Sequence, residues 1–325
     1  MSIRRSLLVG VWMGLLMSVV GVRQASAGLV FGVDVADYIV MYEGGSSSAK
    51  LSINNFGTTG IWTGDIGIAG LGQLAATGPG TLNGDINFAA ANTGQASISN
   101  TTINGTVNYG VTDVQTKMNN LNSLSSTLGA QAGLGTDVVI NTSSDQTVLV
   151  SSGANLGTYR LFDVTSFNSV NGENLIIKGD GSQSVAFDIN FDTQFHGNVL
   201  LQDFTGKFFG DAGYAGLFPD QVLFNLYGGA ALVGGDTLDA NNNGNNAHPA
   251  NFIYGTFLDP NGKISFVNTR IVGRIFGGDS VNMQIVSGDT ITLPPTPPRV
   301  PDGGTTIGLL GFALLGLGYL RRRLR

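Results

Sequence analysis

The residues best spaced for chemistry are Asp239-Ala240-Asn241-Asn242-Asn243-Gly244. Oxygen donors at alternate positions and a glycine at the sixth match the first half of a calcium loop. The twelfth position holds Ala250 where a bidentate Glu would stand, and Asp236 offers a further carboxylate. A polar Asn/Gly surface loop is the simpler reading. A weak extracellular Ca²⁺ site through Asp239, Asn241 and Asn243 stays open, and no other cofactor is expected. Asp180, Asp188 and Asp192 lie close in sequence, and paired carboxylates could serve a glycosidase. A polysaccharide lyase would also need basic residues, and Lys178, Lys207, Arg270 and Arg274 are the nearest. The two histidines, His196 and His248, are far apart, and His196 sits in an alternating segment, 191–197. There is no Gly-x-Ser-x-Gly elbow, Walker loop, dinucleotide fingerprint or zinc pattern. With no Cys, thiolate chemistry and disulfides are excluded. Solvated strand ends explain the acids more simply, so no catalytic residue is assigned and the chain is expected not to be an enzyme.

The elements that would carry such residues are short strands. Only 12% of the 325 residues are charged, Gly numbers 49, and Glu occurs twice, at 43 and 173. Helix surfaces draw on Glu and Lys, whereas Gly, Asn, Thr, Ser and Val suit strands and tight turns. Ile61-Trp62-Thr63-Gly64-Asp65-Ile66, Leu82-Asn83-Gly84-Asp85-Ile86 and Ile103-Asn104-Gly105-Thr106-Val107 repeat one phrase, a glycine, a polar residue, then apolar alternation. The glycines are 20 and 21 residues apart, and Gly255 precedes Gly273 by 18. A period of this size is a solenoid signature. The fold class expected is therefore mainly β, a β-helix of short strands with Asn and Gly at its corners, with a β-sandwich as the alternative. No clean repeat is found between 140 and 230.

One segment has helical spacing instead. Val111, Val114, Met118, Leu121, Leu124 and Leu128 recur at steps of three and four. This predicts one amphipathic helix over 112–129, packed along the solenoid, with a capping box from Thr112 and Gln115 and a stop at Gly129 or Gly133. Asp113 and Lys117 are the only charges expected on its polar face.

The two ends read as addresses. Arg4 and Arg5, the apolar stretch Leu7–Val22 and the small residues Ala25-Ser26-Ala27 before Gly28 form a secretory leader with its cleavage site. At the other end, five of the nine prolines fall between 294 and 301, making a stiff spacer. Val300-Pro301-Asp302-Gly303-Gly304 follows, then an uncharged segment from Ile307 to Leu320, then Arg321-Arg322-Arg323-Leu324-Arg325. Fourteen residues make about 21 Å of helix, short of the ~30 Å bilayer core, and the Arg cluster would stay cytoplasmic. The organisation expected is leader 1–27, body 28–290, Pro-rich linker 291–301, and sorting motif with hydrophobic transmembrane anchor 302–325. Loss of Arg4, Arg5 and Arg23 with the leader, and of Arg321, Arg322, Arg323 and Arg325 with the tail, leaves nine basic residues against 22 acidic ones. A body near −13 is not expected to bind nucleic acid or anionic lipid.

This order of motif, apolar segment and terminal Arg cluster resembles the PEP-CTERM class of bacterial sorting signals, and within it the Val-Pro-Asp-Ser-Gly variant, with Gly303 in place of Ser. The resemblance implies processing by an exosortase-type membrane enzyme. The body resembles the choice-of-anchor A family through Val222-Leu223-Phe224-Asn225-Leu226-Tyr227-Gly228-Gly229, Asn251–Pro260 and Ile271-Val272-Gly273-Arg274-Ile275. Asp259 stands where that family usually has Ala. The succession of strands, one helix and more strands is also similar to ice-binding β-solenoids. The function expected is a surface-sorted structural or adhesive protein of the cell envelope or extracellular matrix, touching polysaccharide. A polysaccharide lyase or hydrolase is the alternative, and ice or surface binding comes last. Ice binding would require outward threonines in one register, and Thr58-Thr59 and Thr101-Thr102 do not supply it.

Overall fold

The computed structural model describes residues 29–35, 37–228, 237–241, 252–279, 281–286 and 289–295. Its core is a three-sided parallel β-helix. On face A the ladder runs through 136–138, 159–163, 184–189, 222–226, 256–259, 274–277, 40–42, 66–68, 86–88 and 107–109. Face B carries 193–195, 237–241, 263–267, 283–286, 51–54, 74–77 and 96–99. Face C carries 146–149, 174–178, 198–202, 252–254, 270–272, 290–292, 61–63, 81–83 and 102–103. The ladders are parallel and close into coils, so the sandwich alternative does not hold.

Stack order differs from chain order. The chain enters mid-stack at Tyr38–Tyr42, climbs to 107–109, and returns to the other end through a helix. It then climbs again until Arg270–Gly277 pairs with Tyr38–Tyr42 and Met283–Val286 with 51–54. This closure juxtaposes segments more than 200 residues apart.

Alternation explains the core. Inward Ile, Leu and Val fill the coils, and Phe162, Phe187, Phe224 and Phe257 form one column with centroids 5.3, 5.2 and 5.1 Å apart. The glycine repeat is a corner device between faces C and A. A Cβ on Gly84 would lie 2.1 Å from the Gly64 carbonyl oxygen, and one on Gly105 would lie 2.2 Å from that of Gly84. Gly273 repeats the arrangement over Gly255, at 1.8 Å. Successive coils can approach this closely only without side chains at the corner.

The helix, Thr112–Gly129 (α1), spans the segment expected. Val114, Met118, Leu121 and Leu128 are buried against Met41, Leu223, Leu258 and Phe276, outward residues of face A. Burial of this kind stabilises by about 1.5–3 kcal/mol per large apolar side chain. Two details differ from expectation. Val111 is the N-cap and no side chain caps the helix, while Gln115 donates instead to Asn119 at 2.9 Å. Lys117 is buried rather than solvated, bonded to Asp113 at 3.0 Å and Asp34 at 3.6 Å. Gly129 ends the helix where a Cβ would meet the Tyr227 ring at 2.5 Å.

Candidate functional site

Among the described residues α1 covers face A, so the surfaces left to contact other molecules are faces B and C. On face C, alternation turns residues 61, 63, 81, 83, 102, 290 and 292 outward, because Trp62, Leu82 and Ile291 point into the core. Register then stacks them. Thr292 faces Thr63, Thr63 faces Asn83, Ile61 faces Thr81, and Thr81 faces Thr102. Asn104 continues the column of Thr292, Thr63 and Asn83 and donates to Asn83 Oδ1 at 2.6 Å. Rungs repeat at about 4.8 Å and residues i and i+2 at about 6.7 Å. The result is a two-column lattice of Thr hydroxyls and Asn amides, broken by Ile61, which is 52% exposed.

Face C changes character lower down. Arg270 and Val272 follow, then Phe252 and Tyr254. There the excursion 203–221 folds over the face, with Phe209 against Tyr254 at 5.1 Å and against Tyr214 at 5.5 Å. Asp203 holds the excursion by accepting from Thr205, Lys207 and Ala215, and these bonds lower its pKa to about 2 against the opposing effect of desolvation. Face B is less regular. Its outward columns are Asp239, Ser265, Gln284, Ser52, Ala75, Ser97 and Asn241, Val267, Val286, Asn54, Thr77, Ser99.

The candidates for chemistry are dispersed. Asp239 and Asn241 lie on the strand Thr237–Asn241, both on the outer side of face B, and Asn243 lies outside the described residues, as does His248. Asp180 and Asp192 stand beyond opposite ends of the strand Ser184–Ile189, which is about 16 Å long. A glycosidase pair is separated by roughly 5–9.5 Å, so these two do not form one. Asp192 accepts from Thr237 N at 2.6 Å. Asp188 is 2% exposed beneath α1. Two of the four expected cations, Lys207 and Arg274, are structural. Lys207 donates to the Ala212 and Gly213 carbonyls, and buried Arg274 pairs with Asp220 at 3.1 Å and donates to Tyr38 O. His196 contacts Asn241 O at 3.4 Å and Gln194 at 3.2 Å. Among the described residues no three His, Cys, Asp or Glu side chains gather as a metal site would require.

The cleavage site Ala25, Ala27 and Gly28, the motif Val300, Pro301, Asp302, Gly303 and Gly304, and the anchor Ile307–Leu320 with Arg321, Arg322 and Arg323 all lie outside the described residues. Among those described, no helix is long and apolar enough to cross a membrane. The threonine lattice is what sequence reasoning missed. Thr81-Leu82-Asn83 and Thr102-Ile103-Asn104 are 21 residues apart, a legible signal. Thr290 and Thr292 join them only through closure of the stack.

Residues 299–324 match a family model described as the VPDSG-CTERM motif. No curated protein matches the chain. Among solved structures, the chain is similar to an ice-binding protein from an Antarctic biological consortium, at 13% identity and TM-score 0.46, covering 80% of this chain and 88% of that one. It is also similar to one from the Antarctic ascomycete Antarctomyces psychrotrophicus, at 12% and 0.47, covering 80% and 96%. A third is the ice-binding protein LeIBP from an Arctic yeast, at 16% and 0.47, covering 82% and 95%.

Proposed function

We propose that this is an exported, non-enzymatic structural or adhesive protein, placed at the cell surface by its C-terminal tail and contacting envelope or extracellular polysaccharide through face C. The sorting motif at 299–324 carries the reading. An address of that kind serves export, the leader Arg4–Gly28 opens the route, and an exosortase-type enzyme is the partner that would process the tail while Ile307–Leu320 holds it in the membrane. The kinship of the body with the choice-of-anchor A family belongs to the same proposal and rests on the segments 222–229, 251–260 and 271–275. Face C supports the contact role. Hydroxyls and amides fixed at ladder spacing can bond a repeating polymer at many weak points, each worth about 0.5–1.5 kcal/mol net.

Intact mass on fractionated cells tests the sorting. A species beginning at Gly28 and ending near Asp302, in the envelope or matrix fraction, is expected. A species that retains Arg325 in the inner membrane overturns it.

The second reading is ice or crystal-face binding, and the in-register Thr63, Thr81, Thr102 and Thr292 favour it. It predicts that the purified body slows ice recrystallisation. An enzyme on polysaccharide is the remaining alternative, and the separation of Asp180 from Asp192 weighs against the carboxylate pair it would use.

A further inference from the structure

Two carboxyl groups lie where α1 meets the coils, and both are arranged in the same incomplete way. Asn122 of α1 donates through Nδ2 to Glu43 Oε1 at 2.9 Å. Glu43 Oε2 and Asn122 Oδ1 are both buried and have no hydrogen-bond partner. Further along face A, Asn225 donates through Nδ2 to Asp188 Oδ1 at 2.8 Å and to the α1 carbonyl of Ser125 at 3.2 Å. Asp188 Oδ2 and Asn225 Oδ1 are again buried and unpartnered. Asp188 is 2% exposed and Asn225 fully buried.

An ionised carboxylate only accepts, so it cannot satisfy an amide oxygen. A protonated carboxyl can. Its O–H donates to the amide oxygen while its carbonyl oxygen accepts from the amide N–H, which gives two parallel bonds and leaves no orphan on either partner. We propose that Glu43–Asn122 and Asp188–Asn225 are proton-held clamps that fasten α1 over face A, and that losing the protons loosens the helix.

The surroundings suit this state. Glu43 faces Asn122 from α1 and the carboxylate of Asp279 from the neighbouring coil. Asp188 faces Asn225, the Asp163 carboxylate on the adjacent rung, and the phenols of Tyr159 and Tyr227. No salt bridge reaches Glu43 or Asp188 among the described residues, and the nearby acids disfavour ionisation. Burial, reinforced by those neighbours, raises each to about 7 although the amide bond opposes it.

The sign follows from the raised pKa. Between about 4.5 and 7 the folded protein binds more protons than the unfolded chain, so stability falls as pH rises across that window and then levels off. Buried Asp289, raised to about 7 by burial, adds to the same global slope far from α1. A local readout is therefore needed beside the global one.

Thermal melting of the mature chain from pH 5 to 8.5, in chelator and in millimolar Ca²⁺, gives the global slope. Tm is expected to drop by roughly 5–10 °C, mostly below pH 7.5. In the double variant Glu43→Gln with Asp188→Asn each amide copies the protonated acid, so the slope should flatten and Tm at pH 8 should exceed that of wild type. A double variant that keeps the wild-type slope overturns the proposal. So does Ca²⁺ stabilisation at pH 8 that Asp188→Asn abolishes, since Asp188 Oδ2 and the partnerless Asp163 Oδ1 would then be cation ligands. If the variant does not fold, hydrogen exchange on wild type at pH 5.5 and 7.5 decides, with face B strands as internal reference. Protection of α1 should fall about tenfold per clamp per pH unit within the window. Equal ratios at both pH values contradict the clamps.

Discussion

Faces A and C are made by the same coils, a corner apart, yet one is sealed and the other is open. On face A the outward positions are Met41, Leu223, Leu258 and Phe276, and α1 lies on them. On face C the outward positions of the coils that carry Phe276 and Met41 are Thr292 and Thr63, with Thr81 on the next coil, and no described element covers them. The inward residues of both faces are equally apolar. What an element does is thus decided by its alternate residues, the set that does not build the core. A sealed face carries stability, and its polar groups, such as Asp188 and Asn225, must find partners inside the protein. An open face carries little stability and is available for contact.

This contrast can be broken by substitution. Leu121→Ala, on the buried side of α1, should cost about 2–5 kcal/mol in denaturant unfolding. Thr81→Ala on face C should change stability by about 0.5 kcal/mol or less. Comparable losses at the two positions would end the distinction between sealed and open faces. Gly84→Ala tests the corner that both faces share. Its Cβ meets the Gly64 carbonyl, backbone that cannot step aside, so about 1–3 kcal/mol should be lost. A neutral result would mean the coils are less tightly stacked than described. A loss as small as that at Thr81 is expected from Asn104→Ala, which removes one exposed ladder bond to Asn83 and should cost about 0.5 kcal/mol. If it costs several times that, the open face contributes to folding after all.

Much of this architecture was legible because the first coils are regular. Glycines at 64, 84 and 105 keep one period, and the helical stripe from Val114 to Leu128 stands out against it. The later coils were not legible because their lengths vary. Phe187 and Phe224 are rung neighbours 37 residues apart, since the excursion 203–221 lies between them, whereas Phe257 and Ile275 are 18 apart. The closure was hidden for another reason. Pairing of Met283–Val286 with 51–54 is set by the helix returning the chain to the far end, and no local pattern records that. Thr290 and Thr292 join the threonine lattice only through it, whereas the spacing of Thr81 and Thr102 was open to reading in the sequence. Lys117 was read as solvated from its charge alone, because Asp34 reaches it from a distant part of the chain.

The central claim is that face C makes the contact, and adsorption to the cell's own extracellular polysaccharide tests it most directly. Thr63→Val, Thr81→Val, Thr102→Val and Asn83→Ala combined should keep the melting temperature and weaken adsorption by about tenfold or more, the loss of a few bonds at roughly 0.5–1.5 kcal/mol each. Ser52→Ala, Asn54→Ala and Ser97→Ala on face B should leave adsorption unchanged. Full adsorption by the face C variant, or loss in the face B variant, would contradict the account.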